Sequence, residues 1–556
     1  MDRVPVVIVG GGPVGLAAAL ELARHGVRSL LLERHDATTW HPKARNLNTR
    51  TMEIARGWGT AVHDALVAVN LPRAWMSRII YTRTLDGEEL GRVSTGGFSG
   101  PGRDVSPEMP LLSSQDVFEP ILRRGAEASG LAELRFGHEV EGLESGGTGE
   151  DDRVVLIVRE RASGLAYRVE ADYAIAADGA DSGVRAQLGI ELDGPRGLGH
   201  FVNVYFRADL DPWTAHRPAV LFWVASDDTR GVFQPLDARG RWLCQIAYDG
   251  RAETFARYDA ERCVAWIRAA VGAPRVVPEI LSIGTWTMNA TVARQLVRGR
   301  VLLAGDAAHQ LPPTGGFGVN TGVQDVHNFA WKLALVHAGV AAPALLDTYD
   351  TERRPVARYN CDRSLENSLM VARINAAASG ESGARLSPKD AVAASRRYGN
   401  FLGMELGFHY ESAAVVPDGS EREPGADEVI DYVPSARPGH RAPHLWLERA
   451  GERCSTLDLF ARGFTLLTGP AGARWTEAAA DARARLGVAL DARAIGAEGE
   501  WTDPSGGFSE LYGIGEDGAV LVRPDGHVAF RAAEAATSPT ERLSSALGQV
   551  LSRAQG

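Results

Sequence analysis

An α/β fold with an antiparallel sheet inserted into it is what three stretches of this chain predict. Val4–Val9 is a β-branched run, Gly10–Gly12 breaks it, Pro13–His25 carries helix-forming Ala and Leu, and Ser29–Leu32 is a second apolar run. That order is a βαβ unit, which joins parallel strands by a right-handed crossover. Val301–Ala304 is a further buried strand, and it runs into a glycine-rich turn that feeds a helical stretch at Gly318. From Phe201 to Tyr248, aromatic-rich runs alternate instead with polar residues, separated by turn signals such as Asp227-Asp228 and Arg239-Gly240. Such alternation marks an antiparallel sheet laid over something it covers.

The remaining elements follow from the same signals. Ser113–Ala128 reads as a helix with Ser114 as its N-cap, and Val154–Val158 and Tyr167–Ala176 read as strands turning at Gly164. Gly318–Ala338 and Leu345–Ile374 read as long helices, and Ala376–Pro388, rich in Ala, Gly and Ser, as a linker. After Pro434–His444, strand-like runs recur at Phe464–Leu467 and Val520–Phe530, the second turning at Pro524-Asp525-Gly526.

Composition narrows the function classes. The chain has 556 residues, 45% hydrophobic and 23% charged, enough to build several packed cores. With 59 basic against 70 acidic residues the net charge is −11, and no Lys/Arg cluster offers nucleic acid a basic stripe. The cysteines Cys244, Cys263, Cys361 and Cys454 lie far apart with no zinc spacing, so free thiols and no metal site are expected. The apolar stretch Val4–Ala23 lacks a basic leader and is interrupted by four glycines and Glu21. No other run approaches the ~20 apolar residues of a membrane span. A soluble, cytoplasmic protein is the expectation. Glycine is in surplus, at 62 residues. No Gly-X-Y period accounts for it, so local motifs must.

Three motifs carry chemistry. Gly10-Gly11-Gly12-Pro13-Val14-Gly15 fits G-x-G-x-x-G at a strand-to-helix turn, where backbone can approach a pyrophosphate at a helix N-terminus. Glu33 ends the next strand, with Arg34 beside it, and its carboxylate can accept both hydroxyls of an adenosine ribose. An acid there, with no Arg directly after Gly15, predicts an adenosine without a 2′-phosphate. The second motif is Gly305-Asp306 at a strand end, followed by Pro313, Gly315, Gly316 and Phe317. Asp306 can bind a ribityl hydroxyl. The N–H groups opening the helix at Gly318, Val319 and Asn320 can stabilise negative charge on a flavin pyrimidine ring. An ordinary turn with Asp306 as a cap is the alternative. The third is Asp178-Gly179-Ala180-Asp181-Ser182 with Arg185, where Asp178 either bridges cofactor sites or belongs to a helix cap formed by its neighbours.

In this order and spacing the motifs resemble the single-component flavin aromatic hydroxylases, the class A flavoprotein monooxygenases. Gln324-Asp325-Val326-His327-Asn328-Phe329-Ala330-Trp331-Lys332-Leu333 extends the match, with Val326 and Phe329 where relatives more often have Ala and Leu. Pro438–His444 and Val522–His527 resemble the C-terminal extension of the polyketide and phenol hydroxylase branch. The resemblance implies a glutathione-reductase-type, Rossmann-like FAD domain over 1–76, 105–188 and 284–400. A substrate sheet would occupy 77–104 and 189–283, and a thioredoxin-like unit 401–556. That last unit has no Cys pair here, which argues against redox work by it. FAD would be the cofactor and NAD(P)H a transient co-substrate, leading through a flavin C4a-hydroperoxide to hydroxylation of an aromatic polyketide or substituted phenol. Oxygen insertion into a polycyclic ketone, or a non-catalytic flavin-binding protein, are the alternatives; a homodimer is left open.

Residue by residue, the resemblance places Arg45 beside the flavin, Gln115 against the cofactor and Pro313 at the flavin's reactive edge. A surface ion pair for Arg45 and a plain helix start for Gln115 are the competing readings. Catalytic candidates are Arg45, Pro313 and Phe317. Substrate candidates between the flavin and the aromatic-rich sheet are Tyr205, Phe222, Trp223, Gln234, Trp286 and Phe317, each with core packing as its alternative. His309 can be a base on a phenol or a packing residue of its loop.

Overall fold

The computed structural model describes residues 2–96, 104–146, 153–226, 229–379, 386–534 and 537–553. The expected turn at Asp227-Asp228 and residues 97–103 of the expected 77–104 segment lie outside these. In the first sheet, Asp2–Val9 lies between Ser29–Glu33 and Ala166–Ala176, with Ala132–Phe136 and Val301–Leu303 extending the parallel set. Val6, Val7, Ile8, Leu30 and Leu31 have no exposure, because both faces of this sheet are covered. Val154–Glu160 adds an antiparallel strand, turning near Gly164 at φ +72°, and pairs on its other side with His138–Gly146. Ser114 does occupy the N-cap position of the helix Gln115–Ala128, yet its side chain does not cap it. Its hydroxyl accepts instead from Arg241, at 3.4 Å.

The second sheet has seven strands in the order Glu279–Met288, Gly199–Arg207, Arg241–Tyr248, Arg230–Pro235, Leu221–Ala225, Arg78–Thr82 and Glu89–Ser94. All neighbours are antiparallel except Leu221–Ala225 with Arg78–Thr82. Its first strand runs past the expected boundary at 284. One face packs Val204, Phe206, Phe222, Phe233 and Cys244 against Cys263 and Ile267 of the helix Ala260–Val271. The opposite face turns toward the first sheet. The helix Asp347–Ala378 outruns its expected end, and Pro388 opens the short helix Pro388–Ala393, so the expected linker narrows from both sides. Residues 380–385 of it are not described.

Phe464–Thr468, the helix Ala473–Leu486 and the parallel strand Leu490–Gly496 form a βαβ unit. The hairpin Ala519–Val522 and Val528–Ala532 and the helix Pro539–Val550 complete a thioredoxin-like order. Buried charge fastens this unit to the rest. Glu352, on the long helix, accepts from Arg523 Nη1 and Nη2 at 2.6 and 2.9 Å and from Lys332 Nζ at 2.7 Å. Arg523 also donates to Asp525, and Arg441 to Glu53 at 2.9 Å. These arginines hold the Glu352, Glu53 and Asp525 carboxyls below the ordinary carboxylate range against the opposing effect of burial. Among the described residues, no helix is long and apolar enough to cross a membrane.

Two predictions follow from this clamp. Removing one partner leaves the others buried and uncompensated, so Glu352→Gln costs about 3–5 kcal/mol in a urea titration. Burial also pushes His440 down to about 3 and His444 and His527 down to about 4, from 6.5. Below pH 6.5 the unfolded chain takes up protons that the folded chain refuses. Stability therefore falls as pH drops toward 4, by up to about 1.4 kcal/mol per pH unit per histidine. The urea midpoint drops between pH 7 and 5, and His527→Gln flattens that slope; an unchanged midpoint contradicts the assignment.

Candidate active site

The glycine loop separates two kinds of demand. A Cβ on Gly15 would lie 1.9 Å from the Gly10 oxygen, and one on Gly10 would lie 2.3 Å from the Ala177 oxygen. Protein contacts alone require glycine at both. Gly12, the N-cap residue of the helix Pro13–Arg24, has no protein atom within 4 Å of where its Cβ would be. The space it leaves is open, at a helix N-terminus that favours anions. Glu33 ends its strand as expected, but its carboxylate is engaged by the protein: Oε2 accepts from Gly11 N–H at 2.6 Å and Oε1 from His35 N–H at 2.8 Å. Arg34 is exposed beside it.

A cavity of about 850 Å³ connects this loop to the antiparallel sheet, in the upper range for ligand sites. Pro13, Asp306, Pro313, Gly316, Gly318 and Val319 all reach its wall. Asp306 is exposed by area, but the area faces the cavity. The surrounding protein pushes its carboxyl above the ordinary aspartate value, with His309 and Lys43 opposing. Gly318, opening the helix Gly318–His337, again has nothing within 4 Å of a Cβ position. Asn320 lies off the wall: its amide donates to Asn46 O and Gly316 O and accepts from Asn48 N–H, clamping the turn. His309 is wholly buried on Asp325 at 2.6 Å, so it packs the loop and faces no substrate.

Arg45 lines the cavity and is buried, which rules out the surface ion pair. Its Nη1 donates to Pro235 O at 2.7 Å and its Nη2 to Val220 O at 2.5 Å, both on the antiparallel sheet. Burial brings its pKa down to about 9, so it stays charged at neutral pH. Gln115 opens its helix on the cavity wall, accepting from Ala44 N–H and donating to Glu119. Asp178 is turned the other way. Its carboxylate accepts from the Ser182 hydroxyl and Val184 N–H, while its neighbours Ala177 and Gly179 line the cavity.

Of the substrate candidates, Gln234 and Trp286 line the cavity and four do not. Phe222 points to the opposite face of the sheet, among Phe233 and Cys244. Tyr205 packs with Leu236 and Leu243, and Trp223 lies against a neighbouring apolar cluster. Phe317 belongs to that cluster too, meeting Phe401 edge-on at 4.9 Å, so it anchors the turn from beneath. Aromatic content suggested these residues; strand parity decides against Phe222 alone. Tyr205 and Trp223 share a strand face with the wall residues Asn203 and Leu221 but are taken up by neighbouring apolar clusters. The same parity would have found Asn203 and Gln245, which alternate with Val202, Val204, Cys244 and Ile246 and do line the cavity. Tyr398 and Phe401 arrive from a segment with no readable motif.

The residues fit FAD: two cradles open where a Cβ would stand free, an aspartate on the cavity wall and a guanidinium facing the same space. Gly12→Ala should leave the deflavinated protein as stable as before, within about 0.5 kcal/mol, yet weaken FAD binding tenfold or more. Gly15→Ala should destabilise the chain itself. Thermal melts and FAD titration of the deflavinated proteins check both, and unweakened binding by Gly12→Ala would take the pyrophosphate away from this loop.

Comparison with known proteins agrees with this fit. Residues 3–364 match the FAD binding domain family and residues 435–554 the aromatic-ring hydroxylase C-terminal family. A 4-methyl-5-nitrocatechol 5-monooxygenase from Burkholderia sp is 36% identical over 562 residues, covering 99% of this chain and 98% of that protein. A tetracenomycin A2 monooxygenase-dioxygenase from Streptomyces glaucescens is 36% identical over 577 residues, covering 100% and 98%. The crystal structure of the flavin-dependent monooxygenase PieE in complex with FAD and substrate superposes with a TM-score of 0.92, at 38% identity and 99% coverage of both chains. The chain therefore belongs to the FAD-dependent aromatic-ring hydroxylases and is a flavoprotein monooxygenase.

Proposed function

We propose that this monooxygenase hydroxylates an aromatic polyketide or a substituted phenol in the space between its glycine turns and the antiparallel sheet. One observation carries the reading: a single cavity is lined both by Asp306 and Gly318 of the glycine-rich turn and by Gln234 and Trp286 of the antiparallel sheet. Bound FAD supplies the redox chemistry, spending NAD(P)H and O₂ to deliver one oxygen atom to the ring and the other to water. The chain's own part is to bind, orient and exclude water. Ile79, Leu112, Leu221 and Phe401 give the substrate end apolar walls, and Trp286 offers a ring face. Tyr398, pushed up to about 12 by burial, stays a neutral hydroxyl there. Gly12, Pro13, Arg45, Gln115, Asp306, Pro313, Gly316, Gly318 and Val319 would hold FAD, with Gly10, Gly15 and Glu33 shaping the loop beneath it, and Gln234 and Trp286 would meet the substrate. Four free cysteines, three of them buried, support work in a reducing cytoplasm.

The FAD-loaded protein is to be given NAD(P)H, ¹⁸O₂ and a panel of mono- and polycyclic phenols. NAD(P)H oxidation should rise at least tenfold with a substrate, and the product should gain one ¹⁸O by mass spectrometry. If no aromatic stimulates oxidation, the reading fails.

A further inference from the structure

Three amides face the cavity from three neighbouring strands of the antiparallel sheet. Asn203 on Gly199–Arg207 lies directly opposite Gln245 on Arg241–Tyr248, and Gln234 on Arg230–Pro235 sits diagonal to Gln245, two residues along from its partner Val232. Opposite pairs stand about 5 Å apart and diagonal ones about 7–8 Å, so the amides make one row. With two strand spacings and the two-residue offset of Gln234, the row spans about 12 Å.

Their hydrogen-bonding capacity is largely unspent. Trp286 Nε1 donates to Asn203 Oδ1 at 2.8 Å. An indole N–H can only donate, so this contact fixes the amide and leaves Asn203 Nδ2 as a donor. Among the described residues, the side-chain amides of Gln234 and Gln245 make no hydrogen bond within the protein. Half-buried amides with no partner in the protein are free to hydrogen-bond what enters the cavity.

The charges nearby do not suit a substrate anion. The charged residues on the cavity wall are Lys43, Arg45 and Asp306. Both terminal nitrogens of Arg45 already donate to backbone carbonyls, and Lys43 lies close enough to Asp306 to act on its carboxyl. His41, also on the wall, is held toward its neutral form by burial and by Lys43. A carboxylate brought to the amides would lose water, and neither Lys43 nor Arg45 lies on the strands that carry them.

We infer that the amides of Asn203, Gln234 and Gln245 form a recognition ladder for an uncharged, flat, fused-ring substrate that carries hydroxyl and carbonyl oxygens along one edge. The inference rests on the hydroxylase reading for the direction of the chemistry, and on the sheet alone for the selectivity. An edge bearing neighbouring hydroxyl and carbonyl groups presents donors and acceptors in one line. Each amide can answer with either, and the ring faces lie between Trp286 and the apolar wall. A single ring reaches one amide or two; a fused system reaches all three.

Equilibrium titration of the FAD-loaded enzyme with 1,8-dihydroxyanthraquinone, unsubstituted anthraquinone and anthraquinone-2-carboxylate tests the ladder, read from the ligand's absorption and the flavin's fluorescence. The dihydroxy ligand should bind at least tenfold more tightly than either of the others in the wild-type protein. Gln234→Leu and Gln245→Leu should each cut that preference about tenfold, with little loss for unsubstituted anthraquinone. Flavin content reports whether each variant has folded, and the wild-type comparison needs no variant. Equal or tighter binding of the carboxylate, or leucine variants that keep the preference, would overturn the ladder. Because binding is read without turnover, a preserved preference with no oxygenated product sinks only the hydroxylase reading. Product formation with no preference sinks only the ladder.

Discussion

Asp325 sits within the helix Gly318–His337 with no solvent exposure, and both ends of the Gly-Asp turn converge on it. Its Oδ2 accepts from Gly305 N–H at 3.3 Å and from His309 Nε2 at 2.6 Å, while its Oδ1 accepts from Arg353 Nε at 3.0 Å. A carboxylate buried this deeply persists as an anion only when paired, and His309 and Arg353 hold its pKa below the ordinary range against burial. Arg353 passes the constraint on to Thr321 O and the Tyr410 hydroxyl. The turn and the helix it feeds are thereby fixed relative to one another. That is why Asp306 and the first residues of the helix open onto the same space. His309, which sequence alone offers as a base, is consumed in this work.

The fold's frame was legible because its determinants are local. Gly10 and Gly15 are glycines for contacts within a few residues of the strand ends, and the buried strands announce themselves as unbroken apolar runs. Asp178 shows the limit of that logic. It occupies its motif position, but whether its carboxylate meets a ligand or Ser182 and Val184 is decided by a side-chain torsion that no spacing records. Phe222 and Phe317 fail for a different reason. Both are large aromatics near the site in sequence, and burial of apolar area draws such residues into clusters first. The cavity wall was left to Asn203, Gln234 and Gln245. Gln234 is legible in the sequence as a candidate, and Asn203 and Gln245 carry the same signal, polarity between apolar neighbours on a strand.

The C-terminal unit keeps a thioredoxin-like order without a cysteine pair, since Cys454 is alone in it. What it contributes instead is charge in the right place. The tight turn Arg523–Gly526 brings Arg523 to Glu352, and the backbone oxygen of Asp525 to Arg50 at 2.7 Å and His327 at 3.2 Å. Lys332, brought down to about 8 by burial, completes the set around Glu352. The same long helix carries Glu352 toward the C-terminal unit and Arg353, one residue on, toward Asp325. Adjacent residues thus tie the outer clamp to the turn that shapes the cavity.

Arg45 makes the corresponding link on the substrate side. It leaves the loop that follows the second parallel strand and ends on two carbonyls of the antiparallel sheet, Pro235 beside Gln234 and Val220 beside Leu221. A guanidinium buried without a carboxylate is costly unless its donors are met, and here two strands meet them. The loop carrying the cofactor-side residues and the sheet carrying the substrate-side residues must therefore sit at one separation, set by the length of an arginine side chain. Movement of either would strand a buried charge. The two halves of the cavity are registered by that one group, and a shorter cation cannot replace it, because Lys would reach one carbonyl and leave the other without a donor.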